Sequence, residues 1–330
     1  MVYPEIAETE RVRLLTPPTG KTEVVLDTDT FNEIDDQFAL THALLSPEQI
    51  DLLAVYAAPF LNERSDSPGD GMEKSYAEIQ RILKLCGRPD EGFAFRGSPE
   101  FIPGADQPVV SPAAEDLIKK AMQPRDKPLY VLTIGAPTNV SSAILMEPDI
   151  IRNIVVVWLG GSGLDWFNAD GFNLDQDMIA TRVLLDSGVP LVHLAMWPVT
   201  THIATTVPEV EHNLRGRNAL ADYLADIFRE AVGDQPGKSR ILWDLSATSY
   251  VINPKWVPTA LAHSPLLTDT TPKRWATDPS RHLIRDAKFC DRSAIFQDLF
   301  AKIAAFREVT TANENRAKAL QTVSNHLKKL

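Results

Sequence analysis

The chain has 330 residues, 44% of them hydrophobic, which is enough to bury a large core; the preferred reading is a single α/β domain over residues 1–330. Its 44 acidic against 33 basic residues give a formal net charge of −11, and no Lys/Arg run is present to track a phosphate backbone or an anionic membrane, so nucleic acid is excluded as an expected partner. Two cysteines, Cys86 and Cys290, are too few for a zinc cluster or a disulfide framework, and no apolar run is long enough to span a bilayer, so the expected location is cytoplasmic.

After a polar N-terminal arm (residues 1–20), short β-rich apolar runs alternate with helix-periodic segments. This alternation predicts an open, mostly parallel, Rossmann-like sheet with helices on both faces. The strands are expected at Val24–Leu26, Leu52–Ala57, Tyr130–Ile134, Ile154–Leu159 and Leu191–Ala195. Helices are expected at Asp35–Leu45, Met72–Cys86, Ala113–Met122, Thr138–Met146, Asp177–Asp186, Ala219–Ala231 and Ala294–Phe306. A last helix is expected over Ala312–Leu327, within a C-terminal segment 310–330. Pro/Gly-rich pieces at Ser65–Gly71, Pro99–Pro112 and Gly233–Lys238 read as long loops.

The densest chemistry follows the first strand, where "DTDTFNEIDD" holds Asp27, Asp29, Glu33, Asp35 and Asp36 within ten positions. Asp27 and Asp29 are expected at the carboxyl end of a buried strand, where open α/β sheets place their ligands. Asp35 and Asp36 open the next helix and could simply favour its dipole. That would leave Asp27 and Asp29 unexplained, and four carboxylates on one rim are strongly unfavourable without a cation. A hard divalent metal with oxygen ligands removes the conflict. An EF-hand loop beginning at Asp27 fails at Phe31, Asn32 and Phe38. The strand-DxDxT signature of haloacid-dehalogenase-like phosphatases fits "VVLDTDT" better, with Asp27 as nucleophile, and stands as an alternative.

The stronger likeness is to the inosine-uridine-type nucleoside hydrolases. "DTDTFNEIDD" resembles their strand-DxDxGxDD hallmark, with two extra residues before the third Asp and without the usual Pro-Gly. "VLTIGAPTNV" (Val131–Val140) resembles the TGPLTN segment, "GGSGLDWFNADGFNLDQD" (Gly160–Asp177) the GG…EFN…DP segment, and "ILWDLSAT" (Ile241–Thr248) the HD-x-x-A segment. The resemblance implies a Ca2+ held by Asp29, Asp36, Asp244 and the backbone carbonyl of Ile134. It further implies cleavage of the N-glycosidic bond of a ribonucleoside, a small-molecule substrate, by a homodimer or homotetramer.

Asp29 is the candidate base that takes a proton from water attacking the anomeric carbon. Asp27 and Asp35 suit stabilisation of an oxocarbenium-like state, and the resemblance places Asp35 and Asn173 on sugar hydroxyls. Asn62 is a weaker sugar-binding candidate, with a surface-loop role left open. Asp244 could be an N-cap and Asn173 a turn residue on sequence alone. Two departures from the family stand out. Gly171 replaces the Glu of EFN, so contacts on the 5′ side are expected from Asp165, Asn168 or Asp170. Trp243 stands where many members have His; it could stack on a purine or be an ordinary core Trp. Glu33 is left as a solvent-facing loop residue. A non-catalytic nucleoside or sugar binder on the same scaffold is the third reading.

Overall fold

The structure, a computed structural model, describes residues 3–307. Its centre is an eight-stranded sheet. The chain-order strands are β1 (Thr22–Thr28), β2 (Ile50–Ala57), β3 (Ala94–Arg96), β4 (Leu129–Thr133), β5 (Ile154–Leu159) and β6 (Leu191–Leu194). They lie in the order β3-β2-β1-β4-β5-β6, and two late strands, Leu283–Ala287 and then Thr259–His263, complete the sheet. All neighbours pair parallel except the last, where Thr259–His263 runs antiparallel to Leu283–Ala287.

Apolar runs explain this architecture. Every residue of β4 and β5 is buried, and Val24, Val25 and Leu26 of β1 are fully enclosed, as strands covered on both faces require. From β1 the chain steps outward to β2 and β3, then returns to the other side of β1 to lay down β4, β5 and β6. Right-handed crossovers therefore put α2 (Asp35–Leu44) and α3 (Pro68–Leu85) on one face, and α5 (Thr138–Met146) and α7 (Met178–Asp186) on the other. This reversal leaves a crevice outside the carboxyl ends of β1 and β4, where Asp27 lies in register with Thr133.

The expected strands and helices up to Phe306 are present, with boundaries moved by caps that apolar periodicity does not reveal. Helix α3 begins at Pro68, inside the stretch read as loop, because the Ser67 hydroxyl accepts from Asp70 N at 3.1 Å and Pro68 occupies the first turn. Ser111 and Pro112 start α4 (Pro112–Ala121) the same way. Four helices were not foreseen: α1 (Glu8–Leu14) in the N-terminal arm, α6 (Phe172–Gln176), α8 (Val207–Leu214) and α10 (Leu245–Ile252). The short α6 precedes α7, α9 spans Ala219–Val232 and α11 spans Arg292–Ala305. The helix expected over Ala312–Leu327 lies outside the described residues. Among those described, no helix is long and apolar enough to cross a membrane.

Candidate active site

A cavity of about 220 Å3 opens at the crevice beyond β1 and β4. Asp29, Asp35, Asp36 and Asp244 line it together with Glu33, Asn32, Asn173 and an apolar wall that includes Ile134, Phe172 and Trp243. Each acid arrives on a different piece of backbone. Asp29 follows β1 directly, Asp35 and Asp36 form the first turn of α2, and Asp244 precedes α10. A turn closed by Asn32 N on Asp29 O, at 2.7 Å, folds the loop back so that the β1 end and the α2 start face each other.

Carboxylate oxygens of Asp35, Asp36 and Asp244 lie within 4.8 Å of one another, and all three residues are buried. Asp244 is the N-cap of α10, yet its side chain makes no capping hydrogen bond, so the carboxylate is turned to the cluster. Ile34 is the N-cap of α2, and no side chain caps that helix. Asp29 is 1% exposed, and its Oδ2 is buried without a hydrogen-bond partner. Gly135 makes room for it: a Cβ there would press on Asp29 Cγ at 3.1 Å and on Ala58 Cβ at 3.0 Å.

Electrostatics in this cavity are in conflict. Burial, then repulsion from Asp36 and Asp35, raises Asp29 well above the usual carboxylate range. Burial raises Asp244 as well, followed by repulsion from Asp35, Asp36 and Asp29. Asp35 is raised by burial and then by Glu33 and Asp36. Burial pushes Asp36 up to about 6, even though the Thr28 hydroxyl donates to it. None of the lining residues is a Lys, Arg or His. The donor set is hard oxygen throughout, with one buried oxygen unpartnered, and this fits a divalent cation of the Ca2+ or Mg2+ type. Cysteine and histidine, the donors that suit Zn2+, are absent from the lining.

The other candidates are placed as follows. Asn173, on α6, donates through Nδ2 to Ile134 O at 2.7 Å and Leu159 O at 3.0 Å, so both amide hydrogens are committed and its carbonyl oxygen is left as an acceptor. Trp243 is half-buried in the wall, with its ring edge-to-face against Trp197 at 5.7 Å. Asn62 does not line the cavity; it donates to Asn32 Oδ1 at 2.6 Å, and Asn32 lines the cavity in its place. Asp27 is fully buried and does not line the cavity either. Asn139 donates to Asp27 Oδ1 at 2.8 Å, and burial still pushes its carboxyl up to about 7. A nucleophile has to reach its substrate, so this enclosure removes the basis of the phosphatase reading.

Two expectations need correction. Glu33 is not a solvent-facing leftover: it is half-buried in the cavity lining and pairs with Arg240 at 2.7 Å, a contact from 207 positions away that sequence spacing could not show. Asp165, Asn168 and Asp170 do not reach the cavity. Asn168 donates to Asp170 at 2.7 Å, and Asp165 is exposed. Gly171 explains why the loop cannot carry a Glu there, since any Cβ would sit 2.7 Å from both N and Cα of Gly161. Gly171→Ala is accordingly expected to cost about 1–3 kcal/mol of stability through forced overpacking. Thermal melting checks this, and an unchanged melting temperature would show that the loop absorbs the methyl freely.

Fold and site together define a doubly wound α/β protein with a pocket of buried carboxylates at its switch point. Residues 24–297 match the inosine-uridine preferring nucleoside hydrolase family, and the chain belongs to that family, whose members are ribonucleoside N-ribohydrolases. The pyrimidine-specific ribonucleoside hydrolase RihA of Enterobacter sp. (strain 638) is 27% identical over 228 residues, covering 62% of this chain and 69% of that relative. Among solved structures, an inosine-guanosine nucleoside hydrolase superposes with a TM-score of 0.67 at 16% identity, over 87% of this chain and 99% of that one. A purine-preferring ribonucleoside hydrolase from Gardnerella vaginalis gives 0.66 at 21% identity, over 86% and 98%. At these identities the two structures speak to the fold.

Proposed function

We propose that the protein hydrolyses the N-glycosidic bond of ribonucleosides in a Ca2+-dependent reaction, with a preference for purines. The observation that carries this reading is the set of four buried carboxylates, from β1, α2 and α10, converging on one cavity that has no basic side chain in its lining. Asp29, Asp36, Asp244 and the Ile134 carbonyl would hold the ion. When bound, a divalent metal supplies the charge that lets these acids ionise together and lowers the pKa of a coordinated water.

The chain's own groups then divide the work. Asp29, with its unpartnered Oδ2, accepts the proton of the water that attacks the anomeric carbon. Asp35 and the Asn173 carbonyl accept hydrogen bonds from sugar hydroxyls and fix the ring. Buried negative charge from Asp35 and, further back, Asp27 stabilises the positive charge that develops on the sugar as the base departs. The Trp243 indole offers a flat face to that base.

Free-base release from a panel of purine and pyrimidine nucleosides tests the reading. Release from inosine or guanosine ahead of uridine supports it. Binding of nucleosides without release would mean a non-catalytic binder, and uridine ahead of inosine would overturn the purine preference. Trp243→Ala should lower kcat/KM for inosine more than for uridine, by about 0.5–1.5 kcal/mol of transition-state binding, with little change in melting temperature. A core Trp would behave oppositely, since its truncation costs about 3–5 kcal/mol of stability and affects all substrates alike.

A further inference from the structure

A second cavity, of about 470 Å3, adjoins the loop that carries the acids, and its size lies within the range of about 300–1,000 Å3 usual for small-molecule sites. The loop divides its residues between the two cavities: Asn32 and Glu33 line the first, and Phe31 and Ile34 line the second. The remaining walls come from Arg64, in the segment between β2 and α3, and from α2, α3 and α9.

The buried polar groups of this second cavity are Gln37 and Glu78, at 3% and 2% exposure. Gln37 points its Nε2 at Glu78 Oε1, 3.5 Å away, which leaves Gln37 Oε1 buried with no partner. Turning the amide over would set that oxygen against a carboxylate, so the orphaned acceptor is a property of the site. Glu78 also accepts from the Tyr223 hydroxyl and faces Arg81 Nε at 3.5 Å. Around these acceptors the walls combine aromatic and aliphatic surface with the charged side chains of Arg64, Arg81 and Glu230. Phe31 carries the Arg64 guanidinium 4.3 Å from its ring centroid, Tyr223 carries that of Arg81 at 5.6 Å, and Ile227 adds aliphatic surface.

We propose that this cavity is a second binding site, for a planar nitrogen heterocycle with N–H donors along one edge, the chemistry of an amino-bearing free nucleobase. Gln37 Oε1 and Glu78 receive the donor edge, and the Phe31 and Tyr223 rings flank the heterocycle. A simple ammonium would have to compete with the two guanidinium groups already set against the Phe31 and Tyr223 rings. An anion would meet the Glu78 carboxylate. The site bears on the first cavity through Arg64, which donates to Asn32 O and Glu33 O at 3.4 Å while it lies over Phe31.

Calorimetric titration of the full chain with adenine tests this, using Ala231→Trp to obstruct the second cavity from its exposed rim and Trp243→Ala to alter the first. The expected result is adenine binding that survives Trp243→Ala but weakens at least about tenfold in Ala231→Trp, with basal nucleoside turnover of Ala231→Trp unchanged. N6,N6-dimethyladenine, which lacks the amino hydrogens, should bind at least about tenfold more weakly than adenine. Ile227→Trp, which fills the cavity from its wall, should repeat the loss. Binding untouched by both Trp substitutions, binding abolished by Trp243→Ala, or no heat at millimolar adenine would each overturn the proposal.

Discussion

Removing divalent metal is expected to lower the melting temperature far more at pH 8 than at pH 5, and calcium is expected to restore it. In the metal-free chain, Asp29, Asp35, Asp36 and Asp244 all hold their protons more tightly than in the unfolded chain, chiefly because burial penalises their charged forms. A carboxyl whose folded pKa is raised contributes its stability below the unfolded value of 3.8 and loses it as pH rises through the folded value, about 6 for Asp36. The metal-free protein should therefore weaken steadily from pH 5 to pH 8. Calcium has the opposite dependence, because its ligands must be ionised, so binding releases protons and tightens as pH rises. At about 100 times its dissociation constant the ion adds about 2.7 kcal/mol of stability. Melting curves with EDTA and with CaCl2 across this pH range, together with elemental analysis, decide the matter. A calcium effect that is independent of pH, or stoichiometric zinc in the purified protein, would overturn the site.

The sequence made the heart of this site legible because two independent signals coincide in it. An apolar triplet, Val24–Leu26, reads as a buried strand, and the acids that follow it are too many for surface chemistry alone. The parallel sheet was equally legible, since β4 and β5 are continuous apolar runs. What stayed hidden depends on tertiary contact. The late strands Thr259–His263 and Leu283–Ala287 are partly exposed and carry Arg285 and Asp286, so no apolar run announces them. Asp286 is balanced in part by a distant group, His193 at 2.8 Å, beside its near neighbour Lys288 at 2.6 Å. Glu33 reads as a loop acid until Arg240 is seen beside it. Asn62 and Asn32 are both polar loop residues, and only the fold decides which of them faces the cavity.

Asp29→Asn is expected to reduce turnover by about 100- to 10,000-fold while leaving the fold intact, the range over which a positioned base contributes to a proton transfer. The substitution is nearly isosteric and keeps a neutral oxygen for a metal, but it removes the carboxylate whose Oδ2 is free to accept a proton. Stability should move the other way. Repulsion from Asp36 and Asp35 is part of what raises Asp29, so replacing it with an amide relieves the cluster, and the metal-free variant should melt no lower than the wild type at pH 8. Asp36→Ala offers the contrast: it deletes a cluster oxygen that lies within 4.8 Å of those of Asp35 and Asp244, and should weaken calcium affinity. Turnover, calcium affinity and melting temperature of the two variants separate a base from a ligand. Normal turnover by Asp29→Asn with its metal retained would place the base elsewhere. Lost turnover that returns at high calcium would make Asp29 a ligand alone.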